Sequence, residues 1–226
     1  MKLFLNYLNR LWYGFGKSIC RAVFIPLFRI RTFGKENIPS MGPILLLSNH
    51  QSFLDPIFFQ VPLKRNLYCV ARDSLYTGNK FFGLILSSVY TIPIRRGEAD
   101  LSAMRKIISK LNQGWGVCLF PEGTRTSDGR IADIKPGFGL LSRRTGAKII
   151  PVVIDGAFEC WPRDKKFPSL GRVIVNYGEP ISPEMVKELG DREFANFLTE
   201  KMRRMQDECR IKMGTEPFDY SAIDES

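Results

Sequence analysis

Short apolar runs alternate along this chain with amphipathic helical stretches, and this alternation constrains the fold more than any other feature of the sequence. Three runs have the length of buried strands, at 44–47, 115–120 and 148–154. Between the first two runs, residues 100–112 carry apolar side chains at helical spacing, and Gly114 ends that pattern. Strands that alternate with helices predict an α/β domain with a central, mostly parallel or mixed sheet flanked by helices.

Pro151 lies inside the third apolar run. Proline has no N–H to donate to a neighbouring strand, so prolines within sheets are concentrated at edges and strand ends. The strand over 148–154 is therefore predicted to lie at an edge, or to end near the proline.

The first 31 residues combine apolar faces with unbalanced positive charge. They contain six Lys and Arg residues, and no acid precedes Glu36. We predict a pair of amphipathic helices in the membrane interface, with Lys and Arg at anionic headgroups. The alternative is that this segment packs on its own domain. No stretch reaches the roughly 18 apolar residues that a spanning helix needs.

The formal net charge of +10 indicates an anionic partner, which the charge alone leaves open among a phosphate-bearing substrate, an anionic membrane and nucleic acid. Nucleic acid is disfavoured because the cations are scattered and no RNA- or DNA-binding motif is present. The five cysteines are widely spaced without a CxxC pair, and one histidine does not support a zinc site. We interpret them as reduced thiols in a cytosolic environment, so the expected membrane contact is with the cytoplasmic face.

His50 is the only histidine of the chain, and it directly follows the apolar strand over 44–47. Four residues separate it from Asp55, whose carboxylate can fold back and orient the ring, as in the base half of a triad. No serine or cysteine is placed to complete a triad, so a base here would act on a substrate hydroxyl or a water. The alternative is structural: Ser52 and Asp55 also fit a capping box, with Pro56 at the first helical position.

A second polar stretch follows the strand over 115–120. Gly123 permits backbone geometry that other residues resist. Thr124 and the local N–H groups can donate to an anion, and Arg125 can hold a phosphate through two parallel bonds. The alternative is a polar turn with a solvated arginine. Because ligands of α/β sheets gather at strand ends, we expect this stretch, His50 and the pair Arg95-Arg96 to converge at one edge.

Four blocks of the chain resemble the glycerolipid acyltransferases of the 1-acylglycerol-3-phosphate O-acyltransferase type. The blocks follow in order: 49–55 with its histidine-four-residues-aspartate pattern, 92–96, 120–125 and 150–153. The resemblance extends over at least residues 40–180. The chain departs from the pattern at Arg95, where many relatives have an acid.

The resemblance implies transfer of a fatty acyl group from acyl-CoA or acyl carrier protein to the sn-2 hydroxyl of 1-acylglycerol 3-phosphate, which makes phosphatidic acid. His50 is then the expected general base and Asp55 its orienting partner. No metal and no cofactor other than the thioester donor is expected. The expected substrate-binding residues are Arg96, Glu122, Gly123, Thr124 and Arg125.

Three regions are predicted: an amphipathic membrane-interface segment with its connector over 1–38, the α/β domain over 39–213 and a polar tail over 214–226. The expected partners are the lysophospholipid acceptor, the acylated thioester and an anionic membrane surface, with peripheral or monotopic attachment. Two alternatives stay open. The enzyme acts on another lysolipid or on glycerol 3-phosphate, or the chain is a non-enzymatic, basic membrane-binding domain.

Overall fold

A seven-stranded sheet forms the centre of the protein, whose computed structural model describes residues 2–78, 80–95 and 100–221. The strands in chain order are β1 (Arg31–Phe33), β2 (Ile44–Ser48), β3 (Leu67–Arg72), β4 (Thr91–Ile94), β5 (Gly116–Leu119), β6 (Lys148–Asp155) and β7 (Ile174–Tyr177). Across the sheet their order is β1-β7-β6-β2-β5-β3-β4. Every neighbouring pair is parallel except β6 and β7, which confirms the predicted fold class.

Helices cover both faces of this sheet. In chain order they are α1 (Lys2–Leu27), α2 (Asp55–Gln60), α3 (Ser74–Thr77), α4 (Lys80–Ser88), α5 (Leu101–Asn112), α6 (Phe138–Thr145), α7 (Ala157–Cys160) and α8 (Pro183–Met213). Strand β2 shows how the two layers share the core. Leu45 and Leu47 face the layer of α5, α6 and α8, whereas Ile44 and Leu46 face α1, α2 and α7. Each such side chain, fully removed from water, contributes about 1.5–3 kcal/mol.

The edge position predicted from Pro151 is wrong, because β6 lies in the interior of the sheet between β7 and β2. The N–H of Ile149 bonds to Ile181, and the ladder with β7 begins only at Val152. The nitrogen of Pro151 therefore faces a break in the pairing. No neighbouring carbonyl there depends on an N–H from residue 151. Its carbonyl still accepts the N–H of Gly178 at 2.8 Å.

Helix α1 is one continuous helix of 26 residues, so the predicted pair of helices is wrong. Pro26 lies in its last turn, where it ends the helix instead of separating two. Within the described ranges, no helix combines the length and apolarity that crossing a membrane requires.

The inner face of α1 binds the domain through two of the cations that were expected at headgroups. Lys17 Nζ donates to the carbonyl of Arg65 at 3.1 Å, and burial lowers the pKa of Lys17 to about 8. The Arg21 guanidinium donates to the carbonyls of Val61 and Leu63 at 2.8 and 3.0 Å. The Val61 carbonyl belongs to the C-cap of α2, where a helix end leaves acceptors without intrahelical donors, and the other two carbonyls belong to the turn that follows. These bonds hold both side chains against the domain, and their contact with headgroups stays a prediction.

The opposite face of α1 exposes large apolar side chains to solvent. We call this set the outer stripe: Leu11, Trp12, Phe15, Ile19, Val23 and Leu27. Between 43% and 62% of each residue's surface is exposed, although Phe24 and Ile25 of the same helix pack against the core. One helix thus serves both alternatives considered from the sequence, packing on the domain and presenting an apolar surface.

Residues 214–221 turn back from the end of α8 and pack on the domain. We call them the C-terminal strap. The Arg210 guanidinium lies 3.8 Å from the ring centroid of Phe218. The Tyr220 hydroxyl accepts the N–H of Ile131 at 3.0 Å and donates to Gln206 Oε1. The first part of the predicted polar tail is therefore joined to the loop between β5 and α6.

Candidate active site

His50 and Asp55 form a hydrogen-bonded pair at the carboxyl end of β2. His50 lies two residues after that strand, and Asp55 is the first residue of α2. The distance from His50 Nδ1 to Asp55 Oδ2 is 2.7 Å. The aspartate side chain is fully buried, whereas 21% of the histidine side chain is exposed. A substrate can therefore reach the ring while its orienting partner stays away from water.

The local backbone holds Asp55 in this position. Besides the His50 ring, Asp55 Oδ2 accepts the backbone N–H groups of Gln51 and Ser52 at 2.7 and 2.8 Å. The bond from the Ser52 N–H to Asp55 is one half of the capping box considered from the sequence. The other half is not formed, because the Ser52 hydroxyl accepts the N–H of Leu54 at 3.3 Å and the N–H of Asp55 bonds to the Ser52 carbonyl. The carboxylate turns back towards the preceding loop because three donors converge there on one oxygen.

The His50 ring is also held from its flat side. It stacks on the Phe120 ring, with centroids 4.0 Å apart and planes inclined by 18°. The backbone of His50 is fixed as well: its N–H donates to Glu122 Oε1 at 2.8 Å, and its carbonyl accepts the N–H of Thr126 at 2.8 Å. The loop after β5 thus sets the ring's position from two directions.

Glu122 joins the two loops that meet at His50. Its second oxygen, Oε2, accepts the N–H of Ala132 at 3.2 Å, and only 5% of the residue is exposed. Burial raises the pKa of Glu122 from 4.5 to about 8, against the opposing effect of the two N–H donors. Its predicted role in substrate binding stays a prediction, and its contacts make it part of the wall that positions His50.

Gly123, Thr124 and Arg125 form the turn beyond Glu122. Gly123 has a φ of 73°, a left-handed conformation that favours glycine. Thr124 and Arg125 are partly buried, and the Thr124 hydroxyl lies 3.5 Å from the carbonyl of Arg125. The structure brings this turn to the same sheet edge as His50, as expected, whereas Arg96 lies outside the described residues.

Two further arginines, Arg72 and Arg163, belong to the surroundings of Arg125. Burial lowers the pKa of Arg125, the positive charge of Arg163 lowers it further, Asp55 raises it and Arg72 lowers it again. Three guanidinium groups therefore share one electrostatic neighbourhood with the buried carboxylate. The sequence reasoning missed Arg72 and Arg163, although Arg72 ends β3 and the strand-exit argument applied to His50 could have found it.

Two buried amides beside His50 were also missed. Asn49 exchanges two hydrogen bonds of 2.8 Å with the backbone of Ile154 on β6. Gln51 donates to the carbonyl of Gly129 at 2.7 Å and accepts the N–H of Ala157 at 3.2 Å. These contacts fix the histidine's chain neighbours to other parts of the sheet edge. The position of Asn49 and Gln51 on either side of His50 was the sequence signal that could have identified them.

The arrangement suits proton transfer to and from a bound hydroxyl. With Nδ1 engaged by Asp55, Nε2 is the ring nitrogen that can accept a proton. The three arginines supply positive charge for an anionic group held nearby. Within the described part of the chain, no group of three or more His, Cys, Asp or Glu side chains is placed to hold a metal ion.

Comparison with known families agrees with this geometry. The profile of the Acyltransferase family matches residues 29–155, which is more than half of the 226 residues and includes the whole His50 and Glu122 loops. The chain belongs to this family. The matched region ends at the last residue of β6, so β7, α8 and the C-terminal strap lie beyond it.

Relatives with curated names come from bacteria, plants and animals. The 1-acyl-sn-glycerol-3-phosphate acyltransferase of Pseudomonas aeruginosa is 30% identical over 193 residues, covering 80% of this chain and 71% of the relative. The Bacillus subtilis enzyme of the same name is 24% identical, covering 81% and 89%. The chloroplastic LPAT1 of Arabidopsis thaliana is 27% identical, covering 78% and 48%. The chain thus spans about half the length of its plant relatives.

A solved structure shares the fold. The crystal structure of the 1-acyl-sn-glycerophosphate acyltransferase PlsC from Thermotoga maritima superposes with a TM-score of 0.75. The sequence identity is 24%, and the match covers 91% of this chain and 82% of that protein. This agreement supports the seven-stranded α/β architecture.

Proposed function

We propose that this protein is a glycerolipid acyltransferase that moves a fatty acyl group from a thioester to the sn-2 hydroxyl of 1-acylglycerol 3-phosphate. The observation that carries the proposal is the 2.7 Å contact between His50 Nδ1 and the buried Asp55 carboxylate. It lies at a strand exit beside a cationic turn, within a chain of the Acyltransferase family. The names of the relatives support the choice of acceptor.

His50 acts as the general base of this reaction. Its Nε2 takes the proton of the acceptor's hydroxyl as the oxygen attacks the thioester carbonyl carbon. The carbon–sulfur bond then breaks, and the protonated ring returns its proton to the leaving thiolate. Phosphatidic acid and a free thiol are the products. General base catalysis contributes roughly 10²–10⁴-fold to such a step.

The arginines near His50 hold the acceptor's phosphate. Arg125, on the turn with Gly123 and Thr124, binds it most directly, because a guanidinium matches a phosphate through parallel bonds. Arg72 and Arg163 raise the local positive potential around that group. Arg96, which follows β4 in the sequence, is proposed for the same task on the family pattern alone.

The membrane supplies the acceptor, and the outer stripe of α1 meets it. Its exposed apolar groups enter the acyl boundary, as in amphipathic helices that lie in the interface. Segment 1–38 is then both an attachment surface and, through its inner face, a layer of the α/β domain. We place the protein peripherally on the cytoplasmic side of its membrane.

Release of free thiol from oleoyl-CoA in detergent micelles tests the proposed reaction, with and without 1-oleoylglycerol 3-phosphate. Wild type should release thiol only with the acceptor, and His50→Ala should lower the rate by at least about a hundredfold. Circular dichroism and the unfolding temperature show whether the variant keeps its fold. Full activity in a folded His50→Ala protein contradicts the assignment of the base.

A panel of acceptors and donors tests the choice of substrate. Oleoyl-carrier protein replaces oleoyl-CoA in one series, and glycerol 3-phosphate or other lysophospholipids replace the acceptor in another. Faster turnover of another acceptor overturns the 1-acylglycerol 3-phosphate assignment and retains the acyl transfer. Thiol release at the same rate with and without every acceptor identifies a thioesterase. Vesicle binding without any thiol release in either series would identify a non-enzymatic membrane-binding domain.

A further inference from the structure

The four cations of residues 11–31 divide into two groups. Lys17 and Arg21 are bound to carbonyls of the domain itself. Arg29 and Arg31, which follow α1, instead line an open groove beside β1. Of these four cations, the two that line a groove therefore lie beyond the helix.

This groove combines a basic lining with an apolar floor. It encloses about 400 Å³, and Ile25 and Met213 contribute to its apolar part. Its cations, which define what we call the basic groove, are Arg29, Arg31, Arg172 and Lys212. Within the described part of the chain, no carboxylate residue lines it. Uncompensated cations around a concave site favour an anion of phosphate size.

The Phe33 ring organises two of these cations. The Arg31 guanidinium lies 5.6 Å from the ring centroid, and Lys212 Nζ lies 4.9 Å from it. Cations held near an aromatic face lose less freedom when they bind a ligand. The groove thus has a partly ordered pair of positive charges from β1 and from the end of α8.

Both segments of chain that lead into the groove expose apolar side chains. Val23 and Leu27 of the outer stripe, which precede Arg29, are 47% and 43% exposed. Phe167 and Leu170, which precede Arg172, are each 71% exposed. Cations at headgroup level beside apolar groups that enter the acyl boundary are the pattern of an interfacial lipid site.

The groove and the candidate active site lie at the same edge of the sheet. Asp155, the last residue of β6, pairs with Ile174 at the start of β7, and Ser48 at the end of β2 pairs with Val152. The starts of β7 and β1 therefore lie beside the ends of β6 and β2. Three strand spacings of about 4.8 Å separate β1, beside the groove, from β2, which leads to His50, so these two strands are roughly 14 Å apart.

We propose that the basic groove binds the phosphate headgroup of an anionic phospholipid in the membrane, at a site separate from the acceptor's site. The headgroup would engage Arg31, Arg172 and Lys212, while the flanking apolar residues enter the acyl layer. This contact turns the sheet edge with His50 towards the bilayer that holds the substrate. The inference rests on the proposed attachment of α1 to the membrane.

Co-sedimentation of the full chain with vesicles tests the groove. Vesicles of pure phosphatidylcholine are compared with vesicles that contain about one third phosphatidylglycerol. The groove variant is Arg31→Gln/Arg172→Gln/Lys212→Gln. The matched control, Arg105→Gln/Lys106→Gln/Arg192→Gln, removes the same charge from exposed positions on α5 and α8.

The groove variant should bind the phosphatidylglycerol vesicles at least about tenfold more weakly than wild type, and the control should lose less than about threefold. Neither should change binding to pure phosphatidylcholine. Equal losses in the two variants overturn the proposal, because only diffuse attraction to the net positive charge would remain. Equal binding of wild type to vesicles with and without phosphatidylglycerol overturns the proposal as well.

Two additional measurements separate the groove from its alternatives. Inorganic phosphate and chloride are compared, at equal ionic strength, for how much wild type they displace from the vesicles. Greater displacement by phosphate supports a phosphate site, and equal displacement counts against one. Thiol release in detergent micelles should be the same for wild type and the groove variant. Loss of that activity identifies the groove as part of the acceptor's site, which overturns the proposed separate role and leaves the acyl transfer intact.

Discussion

At the scale of single residues, the site depends on one carboxylate oxygen. Asp55 Oδ2 accepts from the His50 ring and from two backbone N–H groups. Asp55→Asn keeps an oxygen for the backbone donors, but its amide turns an N–H towards Nδ1. The ring is then driven to the tautomer with its proton on Nε2, the nitrogen that we propose as the base.

We expect Asp55→Asn to lower kcat by roughly 10²–10⁴-fold, with the acceptor's KM within about twofold of wild type. Thiol release in micelles measures both constants. Asp128→Asn is the matched control. Asp128 lies on the neighbouring loop and accepts hydrogen bonds from the Thr126 hydroxyl and the Arg130 N–H rather than from the histidine. An unchanged kcat in Asp55→Asn would rule out the proposed orienting role.

The buried carboxyl group of Glu122 leads to a prediction about the pH dependence of stability. Its pKa is raised by burial from 4.5 to about 8, so between these pH values the folded state binds a proton that the unfolded state has released. Unfolding free energy therefore falls as the pH rises through this window, by up to about 1.4 kcal/mol per pH unit from this group. Glu122→Gln removes this contribution.

Urea unfolding from pH 5 to pH 8 measures the effect. The unfolding free energy of wild type minus that of Glu122→Gln should fall steadily as the pH rises, while Asp155, whose pKa burial raises to about 6, contributes alike to both proteins. Glu193→Gln, at an exposed position of α8, should run parallel to wild type. A constant difference for Glu122→Gln would show that Glu122 is ionised throughout.

These residues also show how far a sequence can predict a site. His50 and Asp55 lie within one short segment, so their spacing alone placed them together. The bond from the His50 N–H to Glu122 joins residues 72 positions apart, and it depends on how two loops pack. Residue types indicate what a side chain can bond, but the partner is set by tertiary packing. Arg163 was missed for the same reason.

At the scale of elements, the predictable parts are those whose local pattern and tertiary environment agree. The buried strands β2 and β5 and helix α5 were predicted from apolar runs and helical spacing. Strand β1 has only three residues, which is too few for a periodic pattern. The interior position of β6 also escaped prediction, because the pairing break that accommodates Pro151 arises from a remote bridge to Ile181.

The C-terminal strap provides a test at this scale. The Tyr220 hydroxyl bridges Ile131 and Gln206, and the same loop carries Thr126, which binds the His50 carbonyl. Tyr220→Phe leaves these partners without the hydroxyl, which should cost about 1–3 kcal/mol of stability. Because the loop also supports Glu122, we expect kcat to fall several-fold.

Tyr76→Phe is the matched control for the strap, since it removes a hydroxyl bonded to Thr91 at 2.6 Å near β4. Thermal unfolding should detect a loss in both variants, whereas only Tyr220→Phe should lower kcat and speed hydrogen exchange at the Thr126 and Ala132 amides. A similar kcat for the two variants would reduce the strap to a purely structural element.

At the scale of the whole molecule, the proposed membrane attachment combines two separable contributions. The outer stripe supplies apolar surface, and the basic groove supplies charge. Apolar insertion does not require anionic lipid, so the stripe should control binding to neutral vesicles. Substitution of its exposed side chains should leave the fold intact, because the inner face of α1 makes the contacts with the core.

We therefore expect Phe15→Ser/Ile19→Ser to weaken binding to pure phosphatidylcholine vesicles by at least about tenfold, since burial of each such side chain contributes on the order of 1.5–3 kcal/mol. Leu101→Ser/Leu140→Ser removes exposed apolar groups from α5 and α6 and should bind like wild type. Co-sedimentation measures both variants, at low and high salt. If the stripe variant keeps its affinity for neutral vesicles, α1 is only a layer of the domain, and attachment depends on charge alone.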